Sequence, residues 1–273
     1  MAIANGGLRL SLLWPIMQID PITKGVFSMQ PTVLITGASR GIGRAAAQLF
    51  AARGWQVAIN YHQNHAAAES LLAELTAAGV KAAIFQADVA DRAQVEAMFA
   101  AVRAELGPIH ALVNNAGIAQ QKLFTDITEA EWHRMFDVTV TGAFHCSQLA
   151  LEDMLPAKSG AIINISSMWG QVGASCEVHY SAAKAALIGL TKALAKELGP
   201  SHIRVNCIAP GVIATEMNAL LDDETLAQLA EETPLECLGQ PEDVAQMILY
   251  LAEESTGRFL TGQVIGVNGG FII

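Results

Sequence analysis

Three polar residues in the second half of the chain have the types and spacing needed to exchange a proton with a substrate. Tyr180 and Lys184 are four residues apart in an alanine-rich run, and Ser167 precedes the tyrosine by thirteen residues. A spacing of four places two side chains on one face of a helix. A phenol with a pKa near 10 exchanges protons poorly at neutral pH, but a neighbouring ammonium favours the phenolate. We therefore expect Lys184 to lower the pKa of Tyr180, while Ser167 holds a substrate carbonyl oxygen.

A glycine-rich segment near the start of the folded region has the features of a phosphate-binding turn. TGASRGIG (36–43) follows the β-rich run TVLIT (32–36) and opens an alanine-rich helical run. Its glycines permit a tight turn and close backbone approach, and a helix N-terminus holds a pyrophosphate through free N–H groups. This segment predicts a dinucleotide site. Its candidate cofactor-binding residues are Gly37, Ser39, Arg40, Gly41, Ile42 and Gly43.

The end of the second β-rich run bears on which dinucleotide is bound. Proteins that bind NAD usually have a carboxylate here, which hydrogen-bonds the ribose 2′-OH. This chain has Asn60 followed by Tyr61 and His62. Asn60 would not repel a 2′-phosphate, and the guanidinium of Arg40 can pair with one. The sequence therefore favours NADPH over NADH.

Two further polar segments end β-rich runs. Asp88 and Val89 end the third, and Asn115, Ala116 and Gly117 end the fourth. Ligands of open parallel sheets bind outside the carboxyl ends of the strands. We expect Asp88 to accept a hydrogen bond from an adenine amino group, and the Asn-Ala-Gly turn to support a cofactor ribose.

The elements that would position these residues alternate along the chain. Strands that are apolar on both faces and are separated by helices indicate a parallel sheet covered on both sides. We predict an α/β fold: one doubly wound Rossmann domain over 31–273, with a seven-stranded parallel sheet and helices on both faces, after a disordered extension at 1–30. The predicted strands are 32–36, 56–61, 81–89, 110–117, 161–167, 203–211 and 263–270, and the helices lie near 42–53, 65–78, 91–105, 129–157, 178–198 and 241–254.

Composition excludes several classes of protein. The net charge is −10 and there is no lysine- or arginine-rich run, so nucleic acid is not an expected partner. No apolar run approaches the ~20 residues of a membrane span. The four cysteines are widely spaced and form no CxxC pair, which argues against a metal site or a disulfide framework and for a cytoplasmic protein with reduced thiols.

From residue 31 to the end, the order of the motifs resembles that of the short-chain dehydrogenase/reductase family. The matching segments are TGASRGIG, DV, NNAG, NISS, YSAAK, IAPGVIATEM and VNGG. The resemblance implies a homotetramer that catalyses oxidoreduction with Ser167, Tyr180 and Lys184, the last of which also holds the nicotinamide ribose. The further cofactor-binding residues that it implies are Tyr180, Pro210, Gly211, Ile213 and Thr215.

One position departs from that family. An asparagine usually holds a water in a proton relay to the lysine, and Thr139 stands in its place within FDVTVTGAF. Threonine keeps a hydroxyl but is shorter and β-branched. We expect slower proton transfer through this fourth catalytic position, not inactivity.

Two ketone substrates remain open. The chain resembles the 3-oxoacyl-[acyl-carrier-protein] reductases of fatty acid synthesis, which implies a ketone carried on acyl carrier protein. The loop MWGQVGASCEVHYS (168–181) is also similar to that of bacterial reductases of a 5-aminopentanone group on elongation factor P, which we favour slightly. There Glu177 would pair with the amine and Trp169 would offer it a π face, unless both residues are structural. A third hypothesis is a non-catalytic NADPH-binding sensor or scaffold.

Overall fold

The computed structural model describes residues 30–218 and 222–273 of the chain. Most of the extension predicted at 1–30 therefore lies outside the described residues. The predicted fold class is confirmed. All strand pairs are parallel, and the seven strands lie in the order β3-β2-β1-β4-β5-β6-β7. The strands are β1 (Thr32–Ile35), β2 (Gln56–Tyr61), β3 (Ala82–Gln86), β4 (Ile109–Asn114), β5 (Gly160–Ile165), β6 (Ile203–Pro210) and β7 (Val264–Val267).

Helices cover both faces of this sheet. Apolar side chains of α1 (Gly41–Ala52), α2 (His65–Ala77) and α9 (Pro241–Ala252) pack against one face. Those of α3 (Arg92–Leu106), α5 (Gly142–Ala157) and the end of α7 (Val178–Leu198) pack against the other. Strand residues such as Val33, Leu34 and Ile35 are fully buried because a parallel sheet has no solvated face. The helices are α1 (Gly41–Ala52), α2 (His65–Ala77), α3 (Arg92–Leu106), α4 (Glu129–Phe136), α5 (Gly142–Ala157), α6 (Trp169–Val172), α7 (Val178–Leu198), α8 (Asp223–Glu232), α9 (Pro241–Ala252) and α10 (Glu254–Gly257).

The order of the strands fixes where a ligand can bind. After β3 the chain crosses to the other side of β1 and forms β4, so the connections leave β1 and β4 in opposite directions. Such a switch point opens a crevice at the carboxyl ends of the strands. Several strands end earlier than predicted, because the polar residues after them leave the ladder and form the loops around this crevice.

Local signals set several helix ends as predicted. Thr128 and Glu131 form a reciprocal capping box at the start of α4, and Pro241 opens α9. The single helix predicted over 129–157 is wrong in one respect, because a π-helical turn (Asp137–Thr141) separates α4 from α5. The short helices α6, α8 and α10 were not expected from the sequence.

Three of the compositional expectations concern membrane spans, metal sites and disulfide bonds. Among those residues, no helix is both long and apolar enough to cross a membrane. Across the same residues, no group of three or more histidine, cysteine or acidic side chains is placed to hold a metal ion. The thiols of Cys146, Cys176, Cys207 and Cys237 are all free of disulfide bonds.

Candidate active site

The structure brings Ser167, Tyr180 and Lys184 together beside the carboxyl end of β5. Tyr180 and Lys184 lie on the first two turns of α7, and their side chains are 9% and 5% exposed. Lys184 Nζ lies 5.6 Å from the centroid of the Tyr180 ring and donates to the carbonyl of Ile165 at 2.8 Å. The Ser167 hydroxyl accepts from the backbone N–H of Trp169 at 3.1 Å. A phenol, a hydroxyl and an amine therefore share one buried corner.

The ionisation of Tyr180 differs from the expectation. Burial raises the pKa of Tyr180 to about 12; the nearby Ser167 hydroxyl lowers this pKa, whereas the charge of Glu177 raises it further. The pKa of Tyr180 therefore lies above its usual value and not below it as expected, because loss of hydration is the largest effect. The phenol consequently keeps its proton at neutral pH. A protonated tyrosine is the form that can give a proton to a carbonyl oxygen.

Burial acts on Lys184 in the opposite sense. It lowers the pKa of Lys184 to about 8, although the Cys207 thiol opposes this shift. The ammonium is therefore present at pH 7 and lost as the pH rises through about 8.

We predict that kcat/KM for ketone reduction falls above pH 8, because Lys184 loses its charge there while Tyr180 remains protonated. Steady-state rates between pH 6 and about 10, with cofactor binding followed by fluorescence at each pH, would measure this. A constant kcat/KM from pH 7 to about 10 would contradict the assignment of this decrease to Lys184.

The glycine-rich turn has the close packing that its sequence predicts. Gly37 has a φ of +62°, and a Cβ there would lie 3.0 Å from the Cα of Ala116. A Cβ on Gly43 would lie 2.6 Å from the carbonyl oxygen of Gly37. The N-cap of α1, Arg40, is extended and makes no side-chain capping bond, so free N–H groups of this twelve-residue helix face the crevice. This arrangement suits a pyrophosphate.

Sequence reasoning missed the part that Thr36 plays in holding this turn. Its hydroxyl accepts from the backbone N–H groups of Asn115 and Ala116 at 2.9 and 3.0 Å. The Asn115 amide in turn donates to the carbonyls of Thr36 and Gly37 at 2.9 and 3.1 Å. Through these hydrogen bonds, the Asn-Ala-Gly turn holds the glycine-rich turn in its conformation. In the sequence, the Thr-Gly dipeptide directly after β1 is the signal that could have indicated this role of Thr36.

A groove of about 890 Å³ runs along the carboxyl edge of the sheet. It has the size of a cofactor site. The predicted residues that line it are Gly37, Ser39, Arg40, Gly41, Ile42, Asn60, Asp88, Val89, Asn115, Ala116, Gly117 and Thr215. Further lining residues, for which no role was predicted, include His62, Gln63, Asn64, Ile118, Ala119, Arg134, Val138, Glu216 and Met217.

The catalytic corner adjoins one end of this groove. A Cβ on Gly117, which lines the groove, would lie 3.3 Å from Lys184 Nζ. Gly211 packs closely on Asn268, since a Cβ on Gly211 would lie 2.8 Å from the Cα of Asn268. Pro210 accepts from the N–H of Met168 at 2.9 Å, and Ile213 is buried in the core. Of the four predicted cofactor-binding residues Pro210, Gly211, Ile213 and Thr215, only Thr215 lines the groove.

Asn60 lines the groove, and its side-chain amide makes hydrogen bonds within the protein. It is 2% exposed, its Oδ1 accepts from the Gly37 N–H at 3.2 Å, and its Nδ2 donates to Phe85 and Ala87 carbonyls. Because its amide is used within the protein, Asn60 ties the glycine-rich turn to the sheet. His62, two residues on, has a side chain that is 45% exposed in the groove.

Asp88 is ionised and held by a cation that the sequence did not reveal. Burial opposes its ionisation, but the Ala90 N–H and the Arg134 guanidinium outweigh it, so the pKa of Asp88 lies below its usual range. Arg134 Nη1 lies 2.8 Å from Asp88 Oδ2, and His62 lies 3.8 Å from the same oxygen. Asp88 keeps acceptor capacity for an amino group, while α4 is anchored to the loop after β3.

The two candidate substrate-binding residues, Trp169 and Glu177, border the catalytic corner. Trp169 packs with Tyr180 in a small apolar cluster and meets Phe271 edge-on, at 5.6 Å between ring centroids. Glu177 is partly buried directly before α7, and burial raises its pKa. The Glu177 carboxylate accepts from the Gln121 amide at 3.4 Å and makes no capping bond to α7.

Comparison with known proteins agrees with this geometry. A family model described as enoyl-(acyl carrier protein) reductase matches residues 37–272. A relative from Staphylococcus aureus, named 3-oxoacyl-[acyl-carrier-protein] reductase FabG, is 43% identical over 89% of this chain and 98% of its own length. The chain belongs to the short-chain dehydrogenase/reductase family. It is an oxidoreductase acting on CH–OH and C=O groups.

One further relative and one solved structure extend the comparison. A 3-oxoacyl-[acyl-carrier-protein] reductase from Synechocystis is 42% identical over 88% of this chain and 96% of its own length. The solved structure of a blue fluorescent protein from a metagenomic library, in complex with NADPH, is 35% identical with a TM-score of 0.84. The structural match covers 89% of this chain and 98% of the blue fluorescent protein chain.

Thr139, the departure from the usual family pattern, lies inside the π-helical turn. It is 2% exposed, and its hydroxyl has no hydrogen-bond partner among the described residues. Such turns are frequent at functional sites. A buried hydroxyl with unused hydrogen-bonding capacity is compatible with the predicted role in a proton relay.

We predict that Thr139→Asn raises kcat for ketone reduction, by up to about 10²-fold, because relay groups contribute about 10²–10⁴-fold. Single-turnover rates would measure it. Asparagine is larger, and overpacking costs about 1–3 kcal/mol, so thermal unfolding should be followed in parallel. Thr141→Asn, at the less buried end of the same turn, is the matched control. Unchanged turnover in Thr139→Asn would show that this position does not limit the reaction.

Proposed function

We propose that this protein reduces the ketone of a 3-oxoacyl thioester, carried on an acyl carrier protein, with NADPH. The observation that carries the proposal is a buried, protonated Tyr180 grouped with Ser167 and Lys184 at one end of a dinucleotide groove. The printed names of the Staphylococcus and Synechocystis relatives support this substrate class.

The three side chains have distinct roles in this proposal. Ser167 donates its hydroxyl hydrogen to the ketone oxygen and orients it. Tyr180 gives its phenolic proton to that oxygen as negative charge develops, acting as the general acid. Lys184 stabilises the resulting phenolate with its ammonium. NADPH, when bound, supplies the hydride to the carbonyl carbon.

Two features of the groove favour a dinucleotide that carries a 2′-phosphate. The uncapped start of α1 fits the pyrophosphate, and the side chain of Arg40 is 61% exposed at that end. Its nearest acidic group, Glu216, is 3.9 Å away, so the guanidinium can turn toward a phosphate. The NADPH complex of the blue fluorescent protein supports the same preference.

Parallel assays would test both the reaction and the cofactor. Purified protein with acetoacetyl-coenzyme A should oxidise NADPH at least ~10-fold more efficiently than NADH, since one charge-assisted phosphate contact contributes about 1.5–3 kcal/mol. Mass spectrometry should find a product two hydrogens heavier. Tight NADPH binding without turnover on any ketone would instead support the sensor or scaffold hypothesis.

A second candidate substrate is a ketone that bears an amine, such as the 5-aminopentanone group of elongation factor P. The observation that favours it is the Glu177 carboxylate, which is partly buried, influences Tyr180 through its charge, and among the described residues accepts one long hydrogen bond, from Gln121. A carboxylate at this place would pair with an ammonium on the substrate. Trp169 packs in the same cluster as Tyr180, which also fits a structural role.

Glu177→Gln separates the two candidates. If the substrate carries an amine, this change should raise its KM by about tenfold or more, as expected for loss of a charge-assisted contact. For acetoacetyl-coenzyme A the KM should stay the same or fall. Reduction of the thioester alone, with aminopentanone-modified elongation factor P left unchanged, would rule out the amine candidate.

A further inference from the structure

Two loops that border the catalytic corner are joined by three consecutive cross-contacts. The first loop follows β4 and the second precedes Tyr180 on α7. His179 Nε2 meets Gln120 Oε1 at 2.9 Å, Gln121 Nε2 donates to Glu177 at 3.4 Å, and the Lys122 N–H donates to the Cys176 carbonyl at 2.7 Å. We call residues 120–122 and 176–179 the loop seam.

The contact between His179 and Gln120 is partly buried and has a fixed polarity. His179 is fully buried, and Gln120 uses its amide N–H to donate to Glu131 at 2.7 Å. The carbonyl oxygen of Gln120 therefore faces His179, so the ring must carry its proton on Nε2. Burial lowers the pKa of His179, which keeps the ring neutral with Nδ1 unprotonated.

The seam continues to a charged anchor on α4. Glu131 accepts from Lys122 Nζ at 2.8 and 2.9 Å and closes the capping box with Thr128. Hydrogen bonds from Lys122, Gln120 and Thr128 hold the pKa of Glu131 far below its usual range. His179 is thus linked through Gln120 to a carboxylate fixed at the N-terminus of a helix.

The loop seam flanks the catalytic corner. The loop after β4 includes Gly117, where a Cβ would lie 3.3 Å from Lys184 Nζ, and then Ile118 and Ala119, which line the groove. The second segment of the seam, 176–179, directly precedes Tyr180. Cys176 is held at a φ of +61°, a conformation uncommon outside glycine, in the residue whose carbonyl accepts from Lys122. The contacts of the loop seam therefore set the distance between the wall of the groove and Tyr180, the proton donor.

We propose that His179 and Gln120 are a pair of positioning residues that fixes the substrate side of the cleft and so determines the affinity for the ketone. The pair touches neither the reacting atoms nor the glycine-rich turn. Its loss should therefore raise KM for the ketone and leave cofactor binding intact. This inference rests on the proposed function for its kinetic readout.

A double-mutant cycle tests the pair. His179→Phe and Gln120→Leu should each raise KM for acetoacetyl-coenzyme A about five- to tenfold, the value of one hydrogen bond, with kcat changed less. NADPH affinity, measured by fluorescence, should not change. The double variant should be no worse than either single variant, because the two side chains act as one unit.

Controls separate positioning from folding. His179→Gln keeps an N–H donor at a similar reach and should restore KM to within about twofold of the parent. Gln148→Leu removes the same kind of amide acceptor, here from Arg92 on the exposed face of α5, and should change nothing. Additive effects in the cycle, or an unchanged KM in both single variants, would overturn the proposal. A parent protein without ketone reduction would instead overturn the proposed function.

Discussion

The Tyr180→Phe protein is expected to reduce its ketone about 10³-fold more slowly than the parent, within the 10²–10⁴-fold typical of a general acid. Phenylalanine keeps the ring that packs on Ala183 and Trp169 but removes the only proton that the ring can give. The change should appear in kcat, because the hydroxyl is needed as charge develops on the ketone oxygen. Stopped-flow oxidation of NADPH at saturating ketone would measure it.

Two further measurements make the Tyr180 result specific. NADPH affinity should fall by no more than about tenfold, the value of one hydrogen bond from the Tyr180 hydroxyl, and the free energy of unfolding should stay close to that of the parent, because the substitution keeps the ring in the core. Tyr250→Phe, on an exposed part of α9, is the matched control and should behave as the parent. Reduction at the parent rate by Tyr180→Phe would show that another group supplies the proton.

Lys184→Met is expected to lower kcat/KM by about 10²–10³-fold and to weaken NADPH binding. Methionine has a similar length, but it removes both the ammonium beside the Tyr180 ring and the donor to Ile165. Stability should respond differently from activity. Because an ammonium is costly to bury, its replacement by an apolar side chain should change the free energy of unfolding by less than about 2 kcal/mol in either direction.

The comparison of activity with stability decides the role of Lys184. Lys192→Met, two turns further along α7 on its exposed face, should leave both quantities unchanged. Urea unfolding and steady-state kinetics on the same samples would provide the data. If Lys184→Met kept more than about half of the parent activity, or lost activity only in proportion to unfolded protein, the lysine would be structural.

The fold could be predicted because its signals are local. Apolar runs of strand length alternate with helical runs, and the capping box of Thr128 and Glu131 lies within four residues of sequence. The glycine-rich turn and the Tyr180–Lys184 spacing were equally visible, since each motif is contiguous along the chain. Their convergence follows from the parallel sheet, which brings the carboxyl ends of all strands to one edge.

What the sequence could not show depends on contacts between distant segments. The pKa of Tyr180 is governed by burial, which spacing along a helix does not reveal. Asn60 has a residue type that suits a ribose site, yet the carbonyls of Phe85 and Ala87 occupy its amide. The bond from His179 to Gln120 joins residues 59 apart in the chain, and no local pattern of residue types or spacing connects the two.

The most direct test of the central claim uses NADPH deuterated at the transferable position of the nicotinamide, with acetoacetyl-coenzyme A and mass spectrometry of the product. We predict a 3-hydroxyacyl product with one deuterium per cofactor oxidised, formed by the parent protein at least ~10²-fold faster than by Tyr180→Phe. A product without deuterium, or deuterium transferred equally fast by both proteins, would contradict reduction by Tyr180-assisted hydride transfer.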